Sequence, residues 1–282
     1  MLKSASFKDL QNTLKEFEVL RKLNHPCICE CLGMNPQEKV ATNNDKSESK
    51  SEDEFIFEED EVEKEKVSIT KEITTVALFL EYHPFNLKQT VNESFMTNTL
   101  KAKIVVEIAF GMSHIHKNGM IHRDLKPENV MLNLVFEAKL IDFGLTHVDE
   151  MKEKNESLTK GIGTMAYMSP EMINEENYNN KTDVYSFGVL LFYLFTKHLP
   201  KQTMKDKLTN IQFRFPKPSS SMSAFCIQMI KKCVEFRASD RPSFDEIIDG
   251  LNRNSFALAD EIDVELVAKR YRELNYFRML NE

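Results

Sequence analysis

The fold of this chain is indicated first by the stretch His122-Arg123-Asp124-Leu125-Lys126-Pro127-Glu128-Asn129. The stretch lies in a segment, 119–170, that is dense in Gly, Pro, Asp and Asn and separates two apolar helical patterns at 100–118 and 182–196. Asp142-Phe143-Gly144 follows in the same segment. Single three-residue strings are common by chance, whereas a complete octet followed by such a triplet is not.

Three further motifs follow in order. They are Ser169-Pro170-Glu171, Asp183-Val184-Tyr185-Ser186-Phe187-Gly188 and Arg241-Pro242-Ser243-Phe244. The whole series resembles the eukaryotic protein kinases, from about Phe7 to Leu251. Lys126-Pro127-Glu128 is similar to the serine/threonine class, and the strings 163–168 and 183–188 are most similar to its tyrosine-kinase-like branch.

The resemblance implies an α+β fold with two lobes, a truncated small N-terminal lobe and a mainly helical C-terminal lobe. Hydrophobic periodicity predicts the elements of the first lobe. The predicted units are a partial N-terminal lobe at 1–82, with a helix at 6–23, strands at 27–34 and 73–82 and a disordered acidic insertion at 36–72; a C-terminal lobe at 83–256, with the catalytic loop and activation segment; and a helical tail at 257–282.

The resemblance assigns the phosphoryl-transfer chemistry to four residues. Asp124 is expected to accept the proton of the substrate hydroxyl, and Lys126 is expected near the transferred phosphate. Asn129 and Asp142 offer the oxygen ligands that Mg²⁺ prefers, so ATP and Mg²⁺ are the expected cofactors. The expected activity is transfer of the γ-phosphoryl group of ATP to a serine or threonine hydroxyl of a protein.

The nucleotide site is implied by the same resemblance. Leu80 is expected behind the adenine, the backbone groups of Glu81 and His83 should form its hydrogen bonds, and Met131 should lie under the ring. Glu16 precedes His25 at the spacing at which the family places the glutamate partner of its phosphate-binding lysine, although Glu18 is also acidic.

Contacts that support the site are implied as well. With Glu16 in place, Leu20, Cys31, His122 and Phe143 would form a hydrophobic stack between the lobes. Glu171 should pair with Arg241 in the interior, and Asp183 should anchor the catalytic-loop backbone. Arg123 is expected to receive a phosphorylated residue of the activation segment, Thr159 in preference to Ser157, while Thr164 is expected to position the substrate.

Composition excludes several classes of protein. With 282 residues, 41% hydrophobic and 29% charged, the chain is neither collagen-like nor mostly disordered. The net charge of −7 is carried by residues 45–72, and the rest of the chain is balanced, so a nucleic-acid partner is not expected. No apolar run is long enough for a membrane span, no secretory signal is evident and the five cysteines fit a reducing compartment, which together predict a cytoplasmic protein.

Two other features have competing interpretations. Cys27, Cys29 and Cys31 alternate beside His25 and could suggest a zinc site, but a period of two also places three small residues on one buried strand face. The acidic insertion could bind an unknown partner, although runs of charge are usually solvated.

The printed residues depart from the family pattern at the start. No G-x-G-x-x-G string occurs, and no strand lysine precedes Glu16 at the family's spacing. We therefore expect a chain that begins after the third strand of the kinase sheet, with doubtful activity as written. The alternative is a non-catalytic kinase-like interaction module.

Overall fold

The fold is seen in a computed structural model that describes residues 7–41, 70–144, 146–148, 165–174, 176, 178–210 and 222–281. The helices are α1 (Phe7–Lys22), α2 (Leu87–Thr90), α3 (Asn98–Lys117), α4 (Pro170–Ile173), α5 (Lys181–Thr196), α6 (Met204–Leu208), α7 (Ala224–Cys233), α8 (Phe244–Arg253) and α9 (Val264–Asn281). The strands are β1 (Cys31–Ala41), β2 (Thr70–Leu80), β3 (Phe85–Asn86), β4 (Met120–Ile121), β5 (Val130–Leu132), β6 (Ala138–Leu140) and β7 (His147–Val148). This mixture confirms the α+β class.

Helix α1 lies where the sequence predicts a helix at 6–23. Val19, Leu20 and Leu23 are buried and attach the end of the helix to the core. Arg21 and Lys22 occupy the last turn, where positive charge interacts favourably with the helix dipole. The helix ends before Asn24-His25-Pro26.

The first strand differs from its prediction at 27–34. Residues 27–29 form an isolated parallel β-bridge with β6, in which Ile28 pairs with Leu140. The amide of Cys29 donates to the carbonyl of Leu140 at 2.9 Å, and the amide of Leu140 donates to the carbonyl of Cys27 at 2.8 Å. The backbone of Cys27 and Cys29 therefore bonds to β6, and the strand β1 begins only at Cys31.

Strands β1 and β2 form an antiparallel hairpin in which Cys31 opposes Leu80 and Ala41 opposes Thr70. The second strand thus covers 70–80 instead of 73–82. The prediction of disorder at 36–72 is wrong at both ends, because residues 36–41 pair with residues 70–76 in the hairpin. Residues 42–69 lie outside the described residues.

The core is centred on α3 and α5, whose apolar residues are almost all buried. Helices α5 and α7 approach closely at Gly188, where a Cβ would lie 2.7 Å from that of Cys233. Any side chain at Gly188 would therefore force the helices apart. None of the helices in the described ranges has the length and apolar character of a membrane span.

The predicted helical tail at 257–282 contains α9, which packs on α3. Val267 and Leu274 are buried in the contact. Arg270 Nε donates to Glu107 Oε1 at 2.7 Å, and its guanidinium also lies 3.1 Å from Glu137. Glu107 is fully buried, so α9 supplies a hydrogen-bonded positive partner for it, in addition to Lys103 of α3, whose Nζ lies 3.7 Å from Glu107 Oε1.

Candidate active site

The predicted catalytic residues meet in the loop between β4 and β5. Asp124 is only 4% exposed. Its Oδ2 accepts hydrogen bonds from Lys126 Nζ at 2.7 Å and from Asn129 Nδ2 at 3.0 Å. The same amide of Asn129 donates to the backbone carbonyl of Asp124 at 2.8 Å. The structure therefore brings Asp124, Lys126 and Asn129 into direct contact.

The backbone beside Asp124 is held in a conformation that non-glycine residues rarely adopt. Arg123 has a φ of 69°, which costs on the order of 1–3 kcal/mol unless the surroundings enforce it. Asp183, fully buried at the start of α5, accepts from the backbone amides of His122 at 2.9 Å and Arg123 at 2.8 Å. The prediction that Asp183 anchors this loop is confirmed.

The pKa of the Asp183 carboxyl is lowered even though the group is buried. Burial alone would raise its pKa, but the hydrogen bond and charge of His116, whose Nε2 lies 2.9 Å away, and the two backbone donors lower it. His116 lies on α3, so the anchor connects α3, the loop and α5. Sequence reasoning did not identify His116.

Asn129 and Asp142 form the candidate metal-binding pair. The amide of Ile141 donates to the carbonyl of Asn129 at 3.1 Å, so the residue next to Asp142 is attached to the catalytic loop. Asp142 has a φ of 66° and an exposed side chain. Because Nδ2 of Asn129 is bound to Asp124, its amide oxygen is the atom available to a cation. An amide oxygen and an exposed carboxylate suit Mg²⁺, which is usually held by few protein oxygens together with phosphates.

Glu16, not Glu18, faces this pair. Glu16 Oε1 accepts from the backbone amide of Phe143 at 3.4 Å, whereas Glu18 is exposed. Burial and the negative charge of Asp142 raise the pKa of Glu16, and the Phe143 amide partly opposes this. Helix α1 therefore lies against Asp142-Phe143-Gly144.

The predicted hydrophobic stack has its members in one core. The rings of His122 and Phe143 are 5.1 Å apart, and both side chains are buried. Leu20 belongs to the same buried apolar cluster as Phe143, with Cys31 packed against it. The catalytic loop, α1 and β1 thus share a continuous interior.

The predicted adenine residues lie around the end of β2. Leu80 is 38% exposed, while His83 is buried. Glu81 Oε2 lies 3.1 Å from Lys139 Nζ and 3.2 Å from His83 Nε2, which orients this connection over β6. Met131 is half-buried in β5, and its sulfur lies 3.6 Å from Asn86 Nδ2.

The protein kinase domain family matches residues 1–250 of this chain. The chain belongs to the protein kinase family. Members of this family use ATP and divalent cations and act on protein substrates.

Three curated proteins similar to this chain are kinases. The chain is 34% identical over 178 residues to the mitogen-activated protein kinase kinase kinase dlk-1 of Caenorhabditis briggsae, covering 60% of this chain and 20% of that protein. It is 37% identical over 161 residues to the serine/threonine/tyrosine-protein kinase HT1 of Arabidopsis thaliana, covering 54% and 39%. It is 35% identical over 144 residues to RGS domain-containing serine/threonine-protein kinase A of Dictyostelium discoideum, covering 50% and 12%.

The kinase contains the predicted pair between Glu171 and Arg241. The guanidinium donates two parallel hydrogen bonds to the carboxylate, at 2.6 and 2.9 Å. Arg241 is 2% exposed and also donates to the carbonyls of Glu235, Lys181 and Phe236. Although burial would raise the pKa of Glu171, the bonds from Arg241 lower it.

Arg123 has a contact that the sequence did not predict. Its guanidinium lies 4.9 Å from the ring centre of Tyr178. Ser157, Thr159 and Thr164 lie outside the described residues, so the phosphate-receiving role of Arg123 stays a prediction. The only sequence signal for this contact is that an aromatic residue, Tyr178, lies between Ser169-Pro170-Glu171 and Asp183.

The three alternating cysteines are unpaired thiols. Burial raises the pKa of Cys27, and burial with the nearby Glu81 raises the pKa of Cys29 to about 11. Within the described ranges, no cluster of three or more His, Cys, Asp or Glu residues is arranged for a metal ion. Cys27 and Cys29 instead pack in the core.

Proposed function

We propose that this kinase transfers the γ-phosphoryl group of ATP to serine or threonine hydroxyls of proteins. The observation that carries the proposal is the contact of Asp124 with Lys126 and Asn129 within 3.0 Å. A carboxylate held in this way can orient a hydroxyl and accept its proton, while the adjacent ammonium offsets negative charge on the phosphate.

The proposed division of roles follows from position. Asn129 and Asp142 would hold Mg²⁺, which when bound neutralises charge on the phosphates. Glu16 would lie on the nucleotide side of Asp142. Leu80, Met131 and the backbone of Glu81 and His83 would surround the adenine. Lys126-Pro127-Glu128 and the similarity to a serine/threonine-protein kinase of Dictyostelium discoideum support serine and threonine as acceptors.

The partners follow from the same proposal: ATP and a protein substrate, with no nucleic acid or membrane. Outside residues 45–72 acidic and basic residues balance, which supports the absence of a nucleic-acid partner. We also propose a cytoplasmic location, because the buried thiols are unpaired. Cell fractionation would test the location, and recovery in a membrane fraction would contradict it.

Transfer of radioactive phosphate from Mg²⁺-ATP to myelin basic protein and casein tests the function, with phosphoamino-acid analysis of the product. We expect phosphoserine or phosphothreonine and a loss of about 10²–10⁴-fold in Asp124→Asn, which removes the base. The exposed Asp260→Asn is the matched control and should retain the parent rate. No transfer by the parent would support the non-catalytic module instead, and transfer at the parent rate in Asp124→Asn would contradict the assignment of Asp124 as the base.

A further inference from the structure

Lys207 is buried, although lysine is usually exposed. It lies on the short helix α6 and is 4% exposed, whereas Lys205 on the same helix is exposed. The helix begins with a capping box in which the amide of Asp206 donates to Thr203 Oγ1 at 3.1 Å and the amide of Thr203 donates to Asp206 Oδ2 at 2.9 Å. Local capping therefore fixes the helix that directs Lys207 inward.

The ammonium of Lys207 donates to three backbone carbonyls of one short segment. Its Nζ lies 3.2 Å from the carbonyl oxygen of Met165, 2.6 Å from that of Ala166 and 2.9 Å from that of Met168. These contacts use all three N–H donors of the charged side chain. Burial lowers the pKa of Lys207 to about 7, while the carbonyls favour the ammonium, because the neutral amine has one donor fewer.

An aromatic ring completes the environment of this cation. Nζ of Lys207 lies 5.1 Å from the ring centre of Tyr185 on α5, and the guanidinium of Arg241 lies 5.1 Å from the same ring centre. The ring therefore connects Lys207 with the buried pair of Arg241 and Glu171. Lys207 is thus part of the interior, and from this buried position its ammonium binds the backbone of residues 165–168.

Residues 165–168 are attached through Ser186 to α5, whose Asp183 also binds the backbone of the catalytic loop. The carbonyl of Tyr167 accepts from Ser186 Oγ at 2.8 Å. Burial, followed by the negative charge of Glu128 in the catalytic loop, raises the pKa of the Tyr167 phenol. Met165 and Ala166 are half-buried and reach the surface. A strip of backbone beside the catalytic loop is therefore held from behind by Lys207.

We propose that Lys207 is a positioning residue that holds residues 165–168 in the shape against which the polypeptide carrying the acceptor hydroxyl binds. The proposal rests on the proposed kinase function, because only a protein substrate must cross the surface beside Asp124. ATP binds on the side of Asp142 and Glu16, so its affinity should not depend on Lys207. The expected signature is a selective loss of affinity for the protein substrate.

Steady-state kinetics at pH 6.5, where the ammonium predominates, tests the proposal with Lys207→Met, Lys207→Arg and the exposed control Lys205→Met. We expect KM for myelin basic protein to rise at least fivefold in Lys207→Met, while KM for ATP stays within twofold. Lys207→Arg should recover part of the loss, because its guanidinium donates to carbonyls, and Lys205→Met should match the parent. A KM for myelin basic protein within twofold in Lys207→Met, or a parallel rise in both KM values, would overturn the proposal.

Amide hydrogen exchange gives a readout that does not need phosphoryl transfer. We expect residues 165–168 to exchange at least tenfold faster in Lys207→Met than in the parent, with α5 unchanged. A parent chain that transfers no phosphate would count against the proposed function, whereas unchanged exchange at 165–168 would count against Lys207 alone. If Lys207→Met does not fold, Lys207→Gln, which retains two N–H donors, should show the same changes to a smaller degree. Exchange of residues 165–168 at the parent rate in Lys207→Gln would refute the positioning role of Lys207.

Discussion

The catalytic loop and the segment around Glu16 are held in contrasting ways. Two side chains contact the carboxylate of Asp124 within 3.0 Å, and the buried Asp183 binds the backbone beside it. Glu16 accepts one hydrogen bond, at 3.4 Å, and lies near the like charge of Asp142. The acceptor side of the site is therefore preorganised, whereas the nucleotide side depends on how α1 lies.

Packing shows the same contrast. Around the loop, 14 of the 16 residues of α5 and 13 of the 20 residues of α3 are buried. On the hairpin, large apolar side chains are exposed: Leu32 by 64%, Phe79 by 54% and Leu80 by 38%. Since local stability follows the number of buried apolar contacts, we expect the hairpin to open more readily than the core beneath the loop.

Loss of the buried ion pair should have the largest effect. Glu171→Ala leaves Arg241 without its carboxylate in the interior, which should lower the free energy of unfolding by about 3–5 kcal/mol. Urea denaturation measures this change. Glu171→Ala combined with Arg241→Met should recover part of the loss.

The matched control is the exposed pair of Glu265 and Arg272, in which Nη2 of Arg272 lies 2.6 Å from Oε1 of Glu265. Glu265→Ala should cost no more than about 1 kcal/mol. Equal losses in Glu171→Ala and Glu265→Ala would show that the interior pair does not stabilise the loop side.

His25, at the junction of α1 and β1, should make the chain sensitive to acid. Burial, followed by the charges of His114, Arg270 and Lys139, lowers its pKa from 6.5 to about 3. The unfolded chain therefore binds this proton between pH 6.5 and 3 while the folded chain does not, and stability falls as the pH falls through that window. Below about pH 3 both states are protonated and the loss is complete.

His25→Asn removes this titration. The free energy of unfolding of the parent should fall more steeply below pH 6.5 than that of the variant, by up to about 1 kcal/mol per pH unit. Urea midpoints at pH 7, 5.5 and 4.5 measure the difference. Parallel curves would mean that His25 is protonated in the folded chain.

A smaller effect is expected at Glu16. Glu16→Gln keeps an acceptor for the amide of Phe143 but removes a negative charge near Asp142, so the Mg²⁺ concentration for half-maximal ATP binding should rise about 2–5-fold. Glu18→Gln is the control and should leave it unchanged. The same half-maximal Mg²⁺ concentration in Glu16→Gln and the parent would show that Glu16 does not influence metal binding.

The contacts of the catalytic loop could be predicted from the sequence. The octet 122–129 holds Asp124, Lys126 and Asn129 within six positions, so its contacts are local and follow from the motif. The longer-range contacts of Asp183 with the loop and of Glu171 with Arg241 were also expected, through the ordered motifs. Both are confirmed.

The remaining features depend on contacts between residues that are far apart in the sequence, and a local sequence pattern does not show such contacts. The alternation of Cys27, Cys29 and Cys31 predicted one strand, but the backbone of Cys27 and Cys29 bonds to β6, more than a hundred positions away, and Cys31 begins β1. The polar residues Gln37–Lys39 gave no strand signal and pair because β2 offers them an edge. The sequence gives no signal that Lys207 is buried, because its acceptors are backbone carbonyl oxygens, which carry no sequence signature.

Mg²⁺-dependent ATP binding, measured beside phosphoryl transfer, tests the division of the site most directly. Asp142→Asn should weaken ATP binding in Mg²⁺ at least tenfold, because it removes the exposed carboxylate ligand. Asp124→Asn should bind Mg²⁺-ATP within about twofold of the parent and lose transfer. Undiminished Mg²⁺-dependent binding in Asp142→Asn, or transfer at the parent rate in Asp124→Asn, would contradict the assignment of metal binding to one side and acceptor chemistry to the other.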